Sequence, residues 1–155
     1  MVYVGIDVAK DKHDCFIVNS DGEVLYDVFT IQNDMDGFED LLFKIKTASR
    51  DLSKVKVGLE ATGHYSCNIL GFFKSKGLYT IVINPLHTNA YRKSLSLRKT
   101  KTDKADARAI ASMIMSDVSL KPYSDTVYHN EDLKSLSRYL SLIHISEPTR
   151  HLRIS

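Results

Sequence analysis

The chain begins with a run in which aliphatic residues occupy every second position, which predicts a β-strand with two different faces. In residues 2–9 (VYVGIDVA) the alternate positions hold Tyr3, Gly5 and Asp7. Because successive side chains of a strand point to opposite sides, the aliphatic face is suited to burial. Similar apolar runs predict four further strands, over residues 13–19, 23–31, 54–60 and 78–84.

Other segments repeat their apolar residues at helical spacing. The first follows Asn33, which we expect to cap a helix. Two more helices are predicted, from about residue 64 to 76 and from about 102 to 118. The inward-facing positions of the first helix are Phe38, Leu41, Leu42 and Ile45.

The order of these elements, βββαβαβα, discriminates between fold classes. Three consecutive strands with a turn signal at 20–22 predict an antiparallel meander, and the later alternation predicts parallel crossovers. A doubly wound nucleotide fold would carry a glycine-rich loop after its first strand, where this chain has DVAKDKHD. The prediction is an α/β, ribonuclease-H-like mixed sheet, with the first and fourth strands side by side at its centre.

Two strands end in the same four-residue pattern, VGID at 4–7 and VGLE at 57–60. On adjacent parallel strands Asp7 and Glu60 take equivalent positions, and they share a face with Gly5 and Gly58. We expect the missing side chains to leave room for a metal-bound phosphate to approach the sheet. Two neighbouring carboxylates repel unless a cation lies between them. The alternative is that Glu60 only begins a loop and that Asp7 forms a hydrogen bond with the turn over residues 9–13.

The predicted third helix adds two acids, because Asp103 and Asp106 are three residues apart and share one face. Four carboxylates converging from three elements indicate a hard cation, Mg²⁺ or Mn²⁺, since all the ligands are oxygens. The alternative is that Thr100 or Asp103 caps the helix and the acids complement its dipole. The acidic face continues with Ala107, Ile110, Ile114 and Val118.

Basic residues are concentrated beside the proposed metal site. The net charge of +2 is too small to indicate a nucleic-acid partner by itself, so the distribution matters. Residues 92–108 hold seven basic and two acidic residues, a pattern that predicts phosphate contacts, with a solvated basic loop as the alternative. Lys10 is a further candidate. The predicted nucleic-acid-binding residues of this segment are Arg92, Lys93, Arg98, Lys99, Lys101 and Lys104.

The remaining composition indicates a cytoplasmic protein without membrane segments. The N-terminus has no signal-peptide architecture, and no stretch reaches about 18 apolar residues. Cys15 and Cys67 match no metal-ligand spacing and fall in apolar segments, so we expect reduced, buried thiols.

The motifs GIDVAK (5–10), GLEATGHY (58–65), INP (83–85) and KTDKADARAIA (101–111) resemble the N-terminal domain of the DEDD-type insertion-sequence transposases. That domain is similar to the RuvC Holliday-junction resolvase, and the resemblance covers residues 1 to about 140. It implies that Asp7, Glu60, Asp103 and Asp106 form the metal site of a DNA recombinase acting on insertion-sequence ends and target DNA. It also implies a homo-oligomeric full-length protein, guided in some members by a structured RNA.

The resemblance divides the chain into a RuvC-like domain over 1–120 and the start of a helical, coiled-coil region over 121–143. Residues 144–155 depart from the family, and no segment matches its C-terminal domain, which carries a catalytic serine. We therefore expect a truncated copy with an atypical tail, inactive alone.

Three alternatives stay open. A stand-alone resolvase-like nuclease would use the same four acids. A sugar-kinase or actin-like ATPase lobe also opens with a strand, an aspartate and a hairpin, although DVAKDK lacks the usual phosphate-binding glycine and threonine. A catalytically dead remnant would only bind nucleic acid.

Overall fold

A computed structural model of the protein describes residues 1–61, 63–95, 103–116, 120 and 122, without the side chains of residues 95 and 103–105. The described strands are β1 (Val2–Val8), β2 (Lys12–Asn19), β3 (Val24–Gln32), β4 (Val55–Glu60) and β5 (Tyr79–Ile83). The described α-helices are α1 (Met35–Ala48), α2 (Cys67–Ser75), α3 (Pro85–Leu95) and α4 (Asp103–Ser116). Single 3₁₀ turns precede β4 and α2, over Leu52–Lys54 and Gly63–Ser66.

The five strands form one mixed sheet in the order β3-β2-β1-β4-β5. The pairs β1–β2 and β2–β3 are antiparallel, whereas β1–β4 and β4–β5 are parallel. The meander, the parallel crossovers and the central pairing of the first and fourth strands are confirmed. Because parallel neighbours end at the same edge, the carboxyl ends of β1 and β4 lie side by side.

Helix α1 begins one residue later than its sequence signal suggested. The side chain of Asp34 caps the helix by accepting a 2.8 Å hydrogen bond from the backbone N–H of Gly37. Asn33 instead donates its side-chain amide to the carbonyl of Lys10, at 2.8 Å, and so ties the helix entry to the turn after β1. The predicted cap at Asn33 is wrong. The predicted inner face is confirmed, since Phe38, Leu41, Leu42 and Ile45 are all buried.

Helix α4 packs directly on the two glycines of the repeated quartets. A Cβ atom added at Gly5 would lie 2.1 Å from the carbonyl oxygen of Ala107 and 2.6 Å from the nitrogen of Ala111. One added at Gly58 would lie 2.7 Å from a methyl group of Ile114. The expectation that the glycines leave room for a phosphate is therefore wrong, because the space is filled by α4.

Helix α3 was not predicted; a solvated loop was considered only as an alternative for residues 92–108, which overlap its last turn. The side-chain oxygen of Asn84 accepts a 2.9 Å hydrogen bond from the backbone N–H of Leu86, and Pro85 takes the first helical position. Proline is favoured there because its fixed φ suits the helix and no N–H is needed. The hydroxyl of Tyr91 lies 2.9 Å from that of Ser112, which joins α3 to α4.

The two cysteines differ in their surroundings. Cys15 is buried in β2, as expected, and burial raises the pKa of its thiol well above the ordinary value. Cys67 is exposed at the first position of α2, so the prediction of a buried thiol is wrong there. A helical period places successive residues on different sides, which a short apolar segment does not reveal.

The described residues all belong to one compact unit, Met1–Pro122. The predicted helical region over 121–143, apart from Pro122, and the tail over 144–155 lie outside the described residues. Within the described part of the chain, every helix is too short or too polar to span a lipid bilayer.

Candidate active site

The carboxylates of Asp7 and Glu60 lie at the carboxyl ends of two adjacent parallel strands. Gly5 is paired with Gly58 in the β1–β4 ladder, and Ile6 with Leu59, so the two acids come one step further along. Side chains alternate between the faces of a strand, so both acids lie on the face of their glycines, which is the face covered by α4. The register confirms the equivalence of the two quartets.

Helix α4 brings a third acid to this edge of the sheet. Asp106 directly precedes Ala107, the residue whose carbonyl oxygen contacts Gly5. The inward stripe predicted for this helix is confirmed for Ala107, Ile110 and Ile114, which are buried, while Val118 lies outside the described residues. The close approach permitted by Gly5 is therefore what sets Asp106 beside the strand ends.

Arg92 of α3 joins two of the three acids. Its Nη1 atom lies 2.5 Å from Oδ1 of Asp106 and its Nη2 atom lies 3.8 Å from Oε2 of Glu60. The side chain of Arg92 is 26% exposed, against 22% for Asp106 and 11% for Glu60. The contact with Asp106 is a charge-assisted hydrogen bond. The contact with Glu60 is an ion pair whose atoms are too far apart for a hydrogen bond.

Glu60 is the most buried of these acids, and burial strengthens its affinity for a proton. Burial raises the pKa of Glu60 above its ordinary value of 4.5, because the charged form loses hydration. The positive charge of Arg92 lowers this pKa, and the negative charge of Asp106 raises it again. Burial and Asp106 both disfavour the charged form of Glu60, and a positive charge beside it offsets that cost, as Arg92 does.

A fourth acid that sequence reasoning missed lies next to Asp7. Asp14 of β2 is the direct partner of Asp7 in the antiparallel ladder, so their Cβ atoms are about 5 Å apart on one face. The hydroxyl of Thr30 donates a 2.6 Å hydrogen bond to Oδ1 of Asp14. Counting the ladder back from the turn after Val8 would have found this like-charged pair.

The structure describes only some of the other predicted site residues. Asp103 is the first residue of α4, but its side chain and that of Lys104 lie outside the description, as do residues Arg98, Lys99 and Lys101 altogether. Lys10 is exposed in the turn between β1 and β2, and Lys93 is exposed on α3. Thr100, the alternative cap, also lies outside the described residues.

Arg108, the last member of the basic segment, has partners on the sheet. It forms an ion pair with Asp27 at 2.5 Å, and its guanidinium lies 5.7 Å from the centre of the Phe16 ring. Both charged side chains are at least half exposed, so this pair adds little to stability. The Arg108 side chain thus contacts β3 and β2 and not the acids at the strand ends.

The acids suit a hard divalent cation by type, since all their donors are carboxylate oxygens at one sheet edge. In the described geometry a guanidinium already lies between Glu60 and Asp106, so the pair attracts a cation. Among the residues whose side chains are described, no three acidic, histidine or cysteine side chains are close enough to share one ion. Asp103 is not part of that set.

Comparison with known proteins gives the family of the chain. Residues 4–144 match the family model of DEDD transposases of the IS110 type, described as a transposase. The pilin gene-inverting proteins of Moraxella bovis and Moraxella lacunata are each 36% identical to this chain over 110 residues, 70% of its length. The matched part is 33% of either relative, so the chain spans about a third of their length.

The fold resembles that of RuvC. One structure of Thermus thermophilus RuvC superposes with a TM-score of 0.54 at 15% identity. A second, in complex with a Holliday junction substrate, superposes with a TM-score of 0.53 at 14% identity. Each match covers 79% of this chain and nearly the whole of RuvC. At this level of identity the likeness confirms the predicted ribonuclease-H-like fold and no more. The family rests on the match over residues 4–144: the chain belongs to the IS110-type family of DEDD transposases.

Proposed function

We propose that this chain is the DNA-cleaving domain of a transposase that cuts and transfers the strands of an insertion sequence. The main supporting observation is that Glu60 and Asp106 both contact the guanidinium of Arg92, with Asp7 at the end of the neighbouring strand. Acids from three elements have no structural need to converge, because each could be neutral or solvated elsewhere at lower electrostatic cost.

In this proposal Asp7, Glu60, Asp103 and Asp106 hold Mg²⁺ or Mn²⁺. When bound, such ions supply charge stabilisation to the attacking and leaving oxygens of a phosphodiester. The carboxylates are therefore ligands and not proton-transfer groups. The contact of α4 with Gly5 keeps Asp106 near the strand ends, and the sheet keeps Asp7 beside Glu60.

The basic residues near this edge hold the sugar-phosphate backbone. Lys10 and Lys93 are exposed and available for phosphate contacts, and Arg98, Lys99, Lys101 and Lys104 supply further charge in the same part of the sequence. Such contacts are independent of base sequence and weaken steeply as salt rises. The target sequence then depends on something other than these lysines and arginines.

The substrate is a recombining DNA. The names of the Moraxella relatives describe inversion of a pilin gene, and one RuvC structure holds a Holliday junction. We extend this to insertion-sequence ends and target DNA in the cytoplasm, with a homo-oligomeric full-length protein. Use of a guide RNA is part of the same proposal, and rests on the family alone. Residues 1–120 would be the catalytic domain and 121–143 the start of the oligomerising helix, with 144–155 an atypical tail.

The test separates this function from that of a stand-alone nuclease. The purified chain is assayed for binding and cleavage of a four-way junction in Mg²⁺, Mn²⁺ or EDTA, and residues 4–144 also replace the matching part of the Moraxella bovis protein. We expect metal-dependent DNA binding by the chain and DNA inversion only by the chimaera. Junction cleavage by the chain alone would favour the nuclease, and absence of DNA binding in every condition would overturn the proposal.

Two variants locate the chemistry. Glu60→Gln and Asp106→Asn should abolish inversion by the chimaera and remove the metal-dependent part of DNA binding, because each deletes a ligand while preserving shape. The matched control is Glu39→Gln, which makes the same change on the exposed face of α1. Wild-type inversion by either site variant would contradict the assigned roles.

A further inference from the structure

Arg92 contacts Glu60 and Asp106, the two carboxylates between which the proposed metal ion would bind. The Arg92 guanidinium lies 2.5 Å from Asp106 and 3.8 Å from Glu60, so its positive charge partly compensates the negative charges of both. A divalent cation coordinated by the same two carboxylates would sit within about 2.1 Å of their oxygens. The guanidinium and the divalent cation therefore compete for these oxygens.

The bonding of Arg92 is incomplete in a way that permits displacement. Its Nε atom is buried and has no hydrogen-bond acceptor among the described residues. Burying a donor without an acceptor is unfavourable, so another position of the side chain can satisfy its hydrogen bonds better. The distance to Glu60 is too long for a hydrogen bond, so among the described acids Arg92 is hydrogen-bonded to Asp106 alone.

The helix that carries Arg92 is held independently of this ion pair. Tyr91 is bonded to Ser112 at 2.9 Å, Asn84 caps the helix, and Thr88 is fully buried. Since these contacts fix α3 against the rest of the unit, the long Arg92 side chain can leave the acids while the helix stays in place. Its partial exposure gives it a path to solvent.

We infer that Arg92 is a built-in competitor of the divalent cation, holding Glu60 and Asp106 in the metal-free protein and giving them up when the ion binds. The inference rests on the proposed function, because it takes these acids as metal ligands. It adds a regulatory step to that site: the ion must displace an internal cation before the ligands are available. The opposite role is that Arg92 organises the acids, in which case its removal would weaken metal binding.

The experiment measures metal affinity without DNA or catalysis. Mn²⁺ is titrated calorimetrically into the full chain carrying Arg92→Gln, in parallel with the wild type. The matched control is Arg50→Gln, which removes the same charge from an exposed residue after α1. We expect Arg92→Gln to bind Mn²⁺ about tenfold more tightly than the wild type, a size typical of coupling between two binding events. Arg50→Gln should match the wild type.

A second variant guards against misfolding. Arg92→Lys keeps the charge but replaces the planar fork with a single ammonium group, so its Mn²⁺ affinity should lie between those of the wild type and Arg92→Gln. In thermal unfolding, added Mn²⁺ should raise the midpoint more for Arg92→Gln than for the wild type, since tighter binding stabilises more.

The outcomes separate the two proposals. Equal or weaker Mn²⁺ binding by Arg92→Gln, with binding by the wild type, would overturn the competitor role and leave the metal site standing. Failure of the wild type and of Arg92→Gln to bind Mn²⁺ at all would overturn the metal site, and the competitor role with it.

Discussion

Arg92 and Asp106 are 14 residues apart in the chain, on different helices, and their side chains meet at 2.5 Å above the ends of β1 and β4. The pair is mostly shielded from water, with 26% and 22% of the side chains exposed. It thus differs from Arg108 and Asp27, whose equally short contact is largely solvated. The same bond length has different energetic weight in the two places, because the local dielectric differs.

The buried position of the first pair predicts energetic coupling between its members. Asp106→Asn and Arg92→Gln should each destabilise the metal-free protein, because each leaves the other charge partly buried with a weaker partner. The double variant should lose less than the sum, with a coupling of about 1 kcal/mol or more. Urea unfolding of the four proteins measures it. The corresponding cycle on Arg108→Gln and Asp27→Asn should give a smaller value, and equal coupling in the two cycles would contradict the difference in burial.

The contact of α4 with the central strands predicts an unusually high cost for a single methyl group. Gly5→Ala places a Cβ atom 2.1 Å from a backbone oxygen of α4, so the helix must move. We expect a loss of about 3 kcal/mol, at the upper end for overpacking, measured by urea unfolding. Gly58→Ala should cost less, because its nearest obstacle is the flexible end of the Ile114 side chain.

The control for this prediction is Gly71→Ala. A Cβ atom at Gly71, in the interior of α2, meets nothing within 4 Å. Alanine should therefore be neutral or stabilise the protein by roughly 0.5–1 kcal/mol through its higher helix propensity. Gly5→Ala with the stability of the wild type would show that α4 does not bear on the glycine.

His13 predicts a pH dependence of stability near neutrality. Its ring is fully buried beside Phe38, and Nδ1 accepts a 3.2 Å hydrogen bond from the backbone N–H of Ala9. Burial lowers the pKa of His13 from 6.5, while Asn33, the backbone of Lys12 and Asp14 oppose this shift. Below pH 6.5 the unfolded chain takes up a proton that the folded chain refuses, so the free energy of unfolding falls as pH drops through this window.

The check is urea unfolding between pH 5 and 7.5 for the wild type and His13→Asn. Asparagine offers an oxygen to the Ala9 N–H without titrating, so the decline just below pH 6.5 should be smaller in the variant, even though the variant is less stable overall. A decline of the same steepness in both proteins would assign the effect to other groups.

The sheet could be predicted because its pattern is local. Alternation along β1 and the apolar run of β4 define the strands, and the repeated glycine and acid define their register. The prediction that Asp106 faces the core followed from helical spacing, and the buried Ala107 and Ile110 confirm that stripe. The strand and helix inferences needed only residues close in sequence, and the register followed from the recurrence of one quartet at the ends of two strands.

Relations between distant elements were harder to predict. Gly5 was expected to leave space for a metal-bound phosphate, because nothing in VGID indicates that α4 packs on this glycine. Arg92 was grouped with its basic neighbours as a phosphate contact, which stays a prediction, and the sequence did not indicate its ion pair with an acid on another helix. Helix α3 did carry a local signal, since Asn84 followed by Pro85 is typical of a helix start.

The contact between α4 and Gly5 also has a consequence for the time at which the site is formed during synthesis. The five described strands lie within residues 2–83, whereas α4 begins at residue 103. Because a chain grows by about 5–20 residues per second, Asp7 and Glu60 emerge seconds before Asp106. A nascent chain therefore contains the residues of the sheet, with Asp7 and Glu60, before it contains Asp106. The proposed set of metal ligands is therefore complete only after the ribosome has synthesised α4, the helix that packs on the two glycines.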